Sequence, residues 1–366
     1  MIDQLKGRGL EMTAAIEEAF RAVPREAFLP GIPIERVYSG DAIVTKNDEE
    51  GRPISSSSEV GVMIAMAQLL DVAPGQRVLE IGAGTGYNAA LLSQLVGDRG
   101  AITTIDIDPD VAAEARDHLM RAGFDRVAVV TGDGWESNTR DNPYDRIEVT
   151  ASVADLSPQW FAELAEGGKI VLPLVLRAGM QTVIGLQKMG TELISTSVVP
   201  GGFMPLRGPG RPQSQSHSFD GLTLELADAK PGAVDQLGAL LREPPRITVA
   251  PPLGWEALTL LALLHGNVSA TGKGRPGFAI GIFDADGGLA LVELAQSAIA
   301  GPLSLIIAFG SDVAREKLIA GIENVRTLRL NDLRVVASRI DSAGPEGDVV
   351  LRRGAFKFAF SMMARS

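Results

Sequence analysis

The sequence predicts an α/β fold: a doubly wound, mostly parallel sheet flanked by helices, followed by an additional C-terminal α+β domain. Three observations carry that expectation. Short apolar runs alternate with amphipathic stretches from Gln76 to about Pro205, a glycine-rich run follows the first apolar segment directly, and composition shifts to that of a linker near Arg207. At 366 residues the chain exceeds one usual domain, and 45% apolar with 22% charged residues is an ordinary globular composition.

The N-terminal portion, residues 1–75, is expected to hold helices and a substrate loop. Ile16, Ala19 and Phe20 recur at helical spacing, and the pattern ends at Val23-Pro24-Arg25 with Phe28-Leu29-Pro30 beyond. Asp41 to Ser58 is polar; its Asn47-Asp48-Glu49-Glu50-Gly51 reads as a solvated loop tip, or as a lid. The serines Ser55 to Ser58 lead into a second helical pattern through Met63, Met66 and Leu70, stopped by Pro74-Gly75.

Residues 76–210 are expected to form the main domain, with strands near 77–81, 101–105, 127–130, 144–150 and 169–173 and helices near 89–96 and 111–120. Ligands of such sheets sit at the carboxyl ends of the strands. The glycine- and proline-rich run from Arg207, continuing through Gln213 to Ser218, marks a boundary. Beyond it, 211–366 is expected as an accessory domain, with helices near 233–241 and 255–264 and strands near 278–283, 303–309 and 333–340.

The strand Val78-Leu79-Glu80-Ile81 runs straight into Gly82-Ala83-Gly84-Thr85-Gly86, so glycines lie where the backbone turns and approaches a ligand. A dinucleotide fingerprint would need its third glycine at Tyr87, and a P-loop would need Gly-Lys followed by Ser or Thr. The run therefore reads as an S-adenosylmethionine site, and the fold as a Rossmann-like methyltransferase. Asp106 ends the second strand, where a carboxylate can accept both hydroxyl hydrogens of a ribose. Asp133, in Gly132-Asp133-Gly134-Trp135, is placed to bond an adenine amino group beside an aromatic wall, and Glu80 is expected to hold the methionine portion or its glycine loop, facing the sulfonium. Each element alone is also what an ordinary strand-to-helix turn looks like; four in register point to one adenosine.

The net charge of −11 argues against broad contact with nucleic-acid phosphates. With no cysteine, disulfides and thiolate zinc sites are excluded, and His118, His217 and His265 are too scattered for a metal cluster. The start lacks the apolar core of a signal peptide and no apolar run approaches a membrane span, so a cytoplasmic enzyme without a membrane partner is expected. Trp160 and Phe161 continue an amphipathic pattern after Ser157-Pro158 and read as core. His265 reads as a helix end and His118 as a helix residue beside Asp117.

From Val23 to Leu206 the chain resembles the protein-L-isoaspartate O-methyltransferase family. The likeness rests on Val23-Pro24-Arg25 with Phe28 and Pro30, on Val78 to Gly82 with Gly86-Tyr87, and on Gly132 to Trp135. It continues in Val149-Thr150-Ala151, Glu166-Gly167-Gly168, Val171-Leu172-Pro173 and Phe203-Met204-Pro205-Leu206, the last resembling a closing strand that returns toward the cofactor. The resemblance implies S-adenosylmethionine as cofactor, S-adenosylhomocysteine as product, and a peptide or protein carboxylate as acceptor. Expected cofactor contacts are Ser57, Glu80, Gly82, Gly84, Thr85, Gly86, Asp106, Ile107, Gly132, Asp133, Gly134, Thr150 and Leu206. Expected acceptor contacts are Ser57, Ser58, Glu59 and Val60, with Ser58 the catalytic residue.

The acceptor turn departs from the family pattern. Counted back from Leu69-Leu70, the family serine falls on Ser58, with Glu59 and Val60 where a neutral residue and proline are usual. Ser58 is expected to orient the acceptor carboxylate, although a serine run is also a common helix N-cap. Glu59 either meets a positive group on the peptide or is a first-turn acid favoured by the helix dipole. The altered turn and the long tail look like the family's biosynthetic branch, which acts on ribosomally made, modified peptides such as lanthipeptides and graspetides. There an aspartate is methylated and the ester collapses to aspartimide. General isoaspartyl repair and a non-catalytic nucleotide-binding partner protein are the alternatives.

A side-chain carboxylate, with an ordinary pKa of about 4, is already a nucleophile at neutral pH and needs no general base. The absence of a plausible catalytic histidine or cysteine is therefore expected. Catalysis would come from aligning oxygen, methyl carbon and sulfur and from stripping water off the anion.

Overall fold

The computed structural model describes residues 1–366 except 8, 138, 140, 141, 212–215, 228–230, 273–277, 285, 286, 298–300, 345 and 364–366. The chain begins with helices α1 (Ile2–Gly7) and α2 (Ala14–Ala22), a 3-10 turn at Arg25–Phe28 and α3 (Ile34–Val37). Thr13 caps α2 through its side chain, which accepts from Ile16 N, and Val23-Pro24 ends the helix as expected. The polar stretch that follows forms a hairpin of β1 (Ile43–Asn47) and β2 (Pro53–Ser57), so three of the four serines belong to a strand. Helix α4 (Val60–Leu70) follows.

The alternating segment then supplies β3 (Arg77–Ile81), α5 (Tyr87–Val96), β4 (Ala101–Asp106), α6 (Pro109–Arg121), β5 (Ala128–Thr131) and β6 (Tyr144–Val149). It ends with α7 (Pro158–Glu163), β7 (Leu164–Val175), β8 (Gln181–Met189) and β9 (Glu192–Pro200). Five of these strands run parallel in the order β7-β6-β3-β4-β5, and β8 and β9 extend the sheet antiparallel beyond β7. Val78, Ile102, Val171 and Val183 pack on one face against apolar residues of α2, α4 and α5. Helix α6 starts with an Asp108 cap and Pro109 in its first turn, which fixes its N-terminus beside the end of β4.

A second sheet is wholly antiparallel. Its strands are β10 (Ser216–Phe219), β11 (Leu222–Leu226), β12 (Arg246–Ala250), β13 (Val268–Gly272), β14 (Ala279–Asp284), β15 (Gly288–Ser297) and β16 (Gly301–Gly310). Helix α8 (Ala233–Leu240) packs on one face, while α9 (Trp255–Leu264) and α10 (Asp312–Val325) lie on the other. The last strands, β17 (Leu333–Arg339), β18 (Val349–Arg352) and β19 (Phe356–Met362), do not join that sheet. They pair onward from β9, completing a ten-stranded first sheet in the order β18-β19-β17-β9-β8-β7-β6-β3-β4-β5.

The additional C-terminal domain expected beyond residue 210 is present as the second sheet with its helices. Residues 216–310 build the second sheet, but Leu333–Met362 returns to the first, because β9 still offers an unpaired edge that β17 covers. One apolar core runs through both parts, from Leu172 and Ile184 through Leu261 and Leu318 to Ile280 and Val292. The linker residues 212–215 lie outside the described residues.

Candidate functional site

The carboxyl ends of β3, β4 and β6 meet beneath the β1–β2 hairpin and form one wall of a cavity of about 1060 Å3. The glycine turn has the conformation its sequence requires. Gly82, Gly84 and Gly86 have φ of 102°, 52° and 85°, in the region that favours glycine. A Cβ on Gly82 would stand 2.4 Å from Thr150 Oγ1, the hydroxyl that donates to Ile81 O and Gly82 O at 2.9 and 3.0 Å. Buried His118 on α6 holds the far side of the turn, its Nδ1 lying 3.0 Å from Thr85 O.

Asp106 is buried at the end of β4. Its two oxygens accept from Gly84 N at 3.2 Å and Asp108 N at 3.0 Å. Burial pushes its carboxyl above the ordinary value, opposed by those amides and by Arg207, whose Nη2 lies 3.4 Å away. Asp108 goes the other way. Burial would raise it, but Lys46, the Val111 amide and Arg207 outweigh burial and bring it down to about 2. Lys46 reaches Asp108 and Asp110 at 2.9 and 3.1 Å, so a residue of β1 is clamped to the start of α6. Exposed hairpin-tip residues fold around Asp48, which accepts from the amides of Glu50 and Arg52.

The acceptor side is organised by a residue that pattern reading quoted but gave no role. Arg25 is fully buried, and its guanidinium donates to Ser57 Oγ, Val37 O, Asp41 O and Ser58 O at 3.1, 3.2, 3.2 and 3.0 Å. It forms no ion pair among the described residues, and burial lowers its pKa. A guanidinium with several backbone oxygens as partners fixes the end of β2 and leaves a positive charge beneath Ser57 and Ser58. Glu59, not a serine, is the N-cap of α4; its Oε1 accepts from Gly61 N at 3.2 Å. That favours the first-turn reading of Glu59 and leaves the Ser58 side chain out of the cap.

Most of the expected residues are brought together. Ser58, Glu59, Gly82, Gly84, Asp106, Ile107, Gly134, Thr150 and Leu206 line the large cavity. Ser57, Glu80 and Thr85 line a small adjoining pocket that shares Ser58, Gly82, Gly84 and Thr150 with it. Four are not on these walls. Gly86 is the N-cap of α5, where a Cβ would press on Ala115 O and Leu119 of α6. Val60 is fully buried in the core. Gly132 and Asp133 stand back: Asp133 Oδ1 accepts from Trp135 N at 2.9 Å, and Gly208 crosses close to the carboxylate. Trp135 stacks edge-on to Trp160 at 5.3 Å and is covered by Gly210, while fully buried Trp160 donates to Gly134 O at 2.7 Å. Leu206 lines the cavity, its amide donating to Ser152 O at 2.9 Å, but its segment forms only an isolated bridge, Pro205 with Ser152, and not the expected closing strand.

A family model described as Protein-L-isoaspartate(D-aspartate) O-methyltransferase (PCMT) matches residues 1–209, more than half of the chain. The chain belongs to that family. A protein-L-isoaspartate O-methyltransferase of Methanococcus maripaludis (strain C7) is 33% identical over 208 residues, covering 57% of this chain and 94% of that protein. One from Thermotoga maritima is 36% identical over 163 residues, 44% of this chain and 51% of that protein, so this match spans about half the relative's length. A solved structure of a protein-L-isoaspartate O-methyltransferase shares the fold with a TM-score of 0.56 at 24% identity, over 98% of this chain and 97% of that one. That likeness in fold extends over the C-terminal portion.

Family and fold together make the protein an S-adenosylmethionine-dependent protein carboxyl O-methyltransferase. The residues present suit that cofactor: glycines leave backbone bare along the turn, and the Asp106 carboxylate lines the cavity beside Ile107. Among the described residues no helix is long and apolar enough to cross a membrane, and no group of three His, Asp or Glu could hold a metal ion.

Proposed function

We propose that the protein methylates the side-chain carboxylate of an aspartate in a ring-constrained, ribosomally made peptide, and that the ester then closes to aspartimide. One observation carries the reading. The cavity that holds Asp106 and Ser58 continues to Trp255, Thr259 and Phe278 of the second part, and its volume of about 1060 Å3 is large for a single small ligand. Beyond a nucleotide-sized cofactor it leaves a broad pocket, with exposed Trp255 on its wall, for more than one acceptor residue. The Glu59-Val60 turn, where the family usually has a neutral residue and proline, supports an unusual acceptor. A second reading, repair of isoaspartyl residues in damaged proteins, is favoured by the names of the relatives and by the full-length likeness in fold.

The cofactor, when bound, supplies an electrophilic methyl on a sulfonium. The acceptor carboxylate oxygen forms the new bond to carbon while the carbon–sulfur pair leaves with sulfur. Ser58 would donate its hydroxyl hydrogen to the second acceptor oxygen, and the positive charge of Arg25 behind it favours the anion's entry. Ring closure needs no group from the protein: the next backbone nitrogen attacks the ester carbonyl, methoxide leaves, and the proton given up by the amide passes through solvent to the methoxide to give methanol.

The test is direct. The enzyme is incubated with S-adenosylmethionine and either linear isoaspartyl peptides or lanthionine- or ester-bridged peptides carrying an aspartate. Mass spectrometry reads gain of a methyl group and then net loss of one water. Turnover of bridged aspartyl peptides alone supports the first reading. Efficient turnover of linear isoaspartyl peptides, with none of the bridged ones, overturns it in favour of repair.

A further inference from the structure

Three polar side chains stand in a row across the middle of the parallel sheet. Thr104 on β4 is paired in register with Glu80 on β3, and Glu80 with Glu148 on β6, so all three project from the same face. Each is at most 1% exposed. Asn88 on α5 bridges the two carboxyls, donating one amide hydrogen to Glu80 Oε1 at 2.8 Å and the other to Glu148 Oε2 at 2.7 Å. Thr104 Oγ1 donates to the remaining Glu80 oxygen at 2.5 Å.

Such a pair requires an explanation. Like charges directly opposite on neighbouring strands repel, and two carboxylates in a dry interior cannot both ionise without a cation. The sheet core otherwise offers Val, Leu and Ile at these positions, so the pair is not there for packing. The carboxyls face the small pocket of about 40 Å3 beside the glycine turn, room for one small polar group. In the same wall stands the Tyr87 hydroxyl, on a side chain 2% exposed, with no hydrogen-bond partner among the described residues. Asp106, the candidate ribose partner, is not in this wall; it lines the large cavity into which the small pocket opens.

We propose that Glu148 is a second carboxyl at the place where Glu80 is expected to meet the cofactor's methionine portion, so that the two hold its ammonium end, and that the cation's arrival expels one proton from the pair to solvent. This rests on the cofactor and not on which acceptor is methylated. Burial raises Glu80 to about 8 and Glu148 to about 7, with the Glu148 charge adding to the shift of Glu80, so a proton is held near neutrality. Other groups facing the pair are Asp106 from β4, which works in the same sense, and Tyr87 from α5, whose phenol burial keeps neutral. Arg25, bonded to Ser57 of the hairpin, brings its positive charge to the Tyr87 ring on the pocket wall. An incoming ammonium replaces the proton charge for charge, which removes the penalty of ionising a buried acid.

Calorimetric titration of the intact protein at pH 7, repeated in phosphate and in Tris, counts the protons released on binding. S-adenosylhomocysteine carries the ammonium; 5′-methylthioadenosine keeps the adenosine and lacks the amino-acid end. Release of about one proton is expected with the first and none with the second. Glu148→Gln should abolish most of the release and weaken S-adenosylhomocysteine roughly tenfold to hundredfold, the range for one charge-assisted hydrogen bond, with 5′-methylthioadenosine unaffected. Equal heats in the two buffers for wild type with S-adenosylhomocysteine would overturn the proposal, and that arm needs no variant to fold. So would an equal loss of affinity for both ligands in Glu148→Gln.

Discussion

Arg25→Lys keeps the buried charge and removes the fork that shapes the acceptor strand. The native guanidinium serves four oxygens, Ser57 Oγ, Val37 O, Asp41 O and Ser58 O. A lysine ammonium on a shorter reach can meet about two of them, which leaves about two buried acceptors unmet at roughly 1–3 kcal/mol each. About 3 kcal/mol is a fair central value after local relaxation. If half of that appears as misplacement of Ser57 and Ser58, kcat/KM for the acceptor falls roughly tenfold, and if all of it does, roughly a hundredfold. The cofactor's contacts on Asp106 and the glycine turn are untouched, so the Kd for S-adenosylhomocysteine should stay within about threefold. Steady-state methyl transfer, calorimetric affinity and thermal unfolding measured on the same preparation separate the terms. A lowered Tm with wild-type kcat/KM would refute the assignment, because Arg25 would then support the fold and not the acceptor strand. A loss of cofactor affinity as large as the loss in kcat/KM would place the damage on the donor side instead.

Ser58→Ala should lower kcat/KM by about one to two orders of magnitude, the value of one hydrogen bond to a charged acceptor, with cofactor affinity retained; wild-type rates would remove its assigned role. Asp106→Ala should do the reverse, weakening S-adenosylhomocysteine roughly a hundredfold in calorimetry, and unchanged affinity would show that the ribose lies elsewhere. The buried acids also predict a pH dependence. Glu80 and Glu148 have folded values of about 8 and 7, above the ordinary 4.5, so the folded state binds more protons than the unfolded one and the cofactor-free protein loses stability as pH rises toward 8. Half-buried His265 is shifted down by partial burial and acts in the opposite sense around and below its ordinary 6.5, so the slope is read above it. Tm measured without cofactor should fall between pH 6.5 and 8.5, and less so in Glu148→Gln; a flat profile would contradict the burial argument.

What the sequence disclosed follows from how each element earns its stability. Buried parallel strands are apolar runs, so β3, β4 and β6 and the helices between them are legible at once, and the glycine turn is legible because only glycine holds its backbone. The β1–β2 hairpin was hidden because Pro53 to Ser57 reads as a polar loop; its order comes from Arg25 and from Lys46 reaching α6, both long-range. Strand β17 was legible as a strand, but its sheet was not, since β-pairing with Ile194 and Leu193 across more than a hundred residues leaves no local trace.

The site shows the same division more sharply. Ser58, Asp106 and Gly82 stand at motif positions on the cavity wall, whereas Asp133 lies behind that lining, with its Oδ1 accepting from Trp135 N. Glu148 had the geometry and no motif. Its one signal is a carboxylate inside the run Arg146-Ile147-Glu148-Val149, where a buried strand should be apolar, and register sets it opposite Glu80. A single buried acid can be a structural hydrogen-bond partner. Two in register, bridged by one amide and facing a pocket beside the cofactor turn, constitute a cation site, and only the alignment of strands far apart in sequence makes them two.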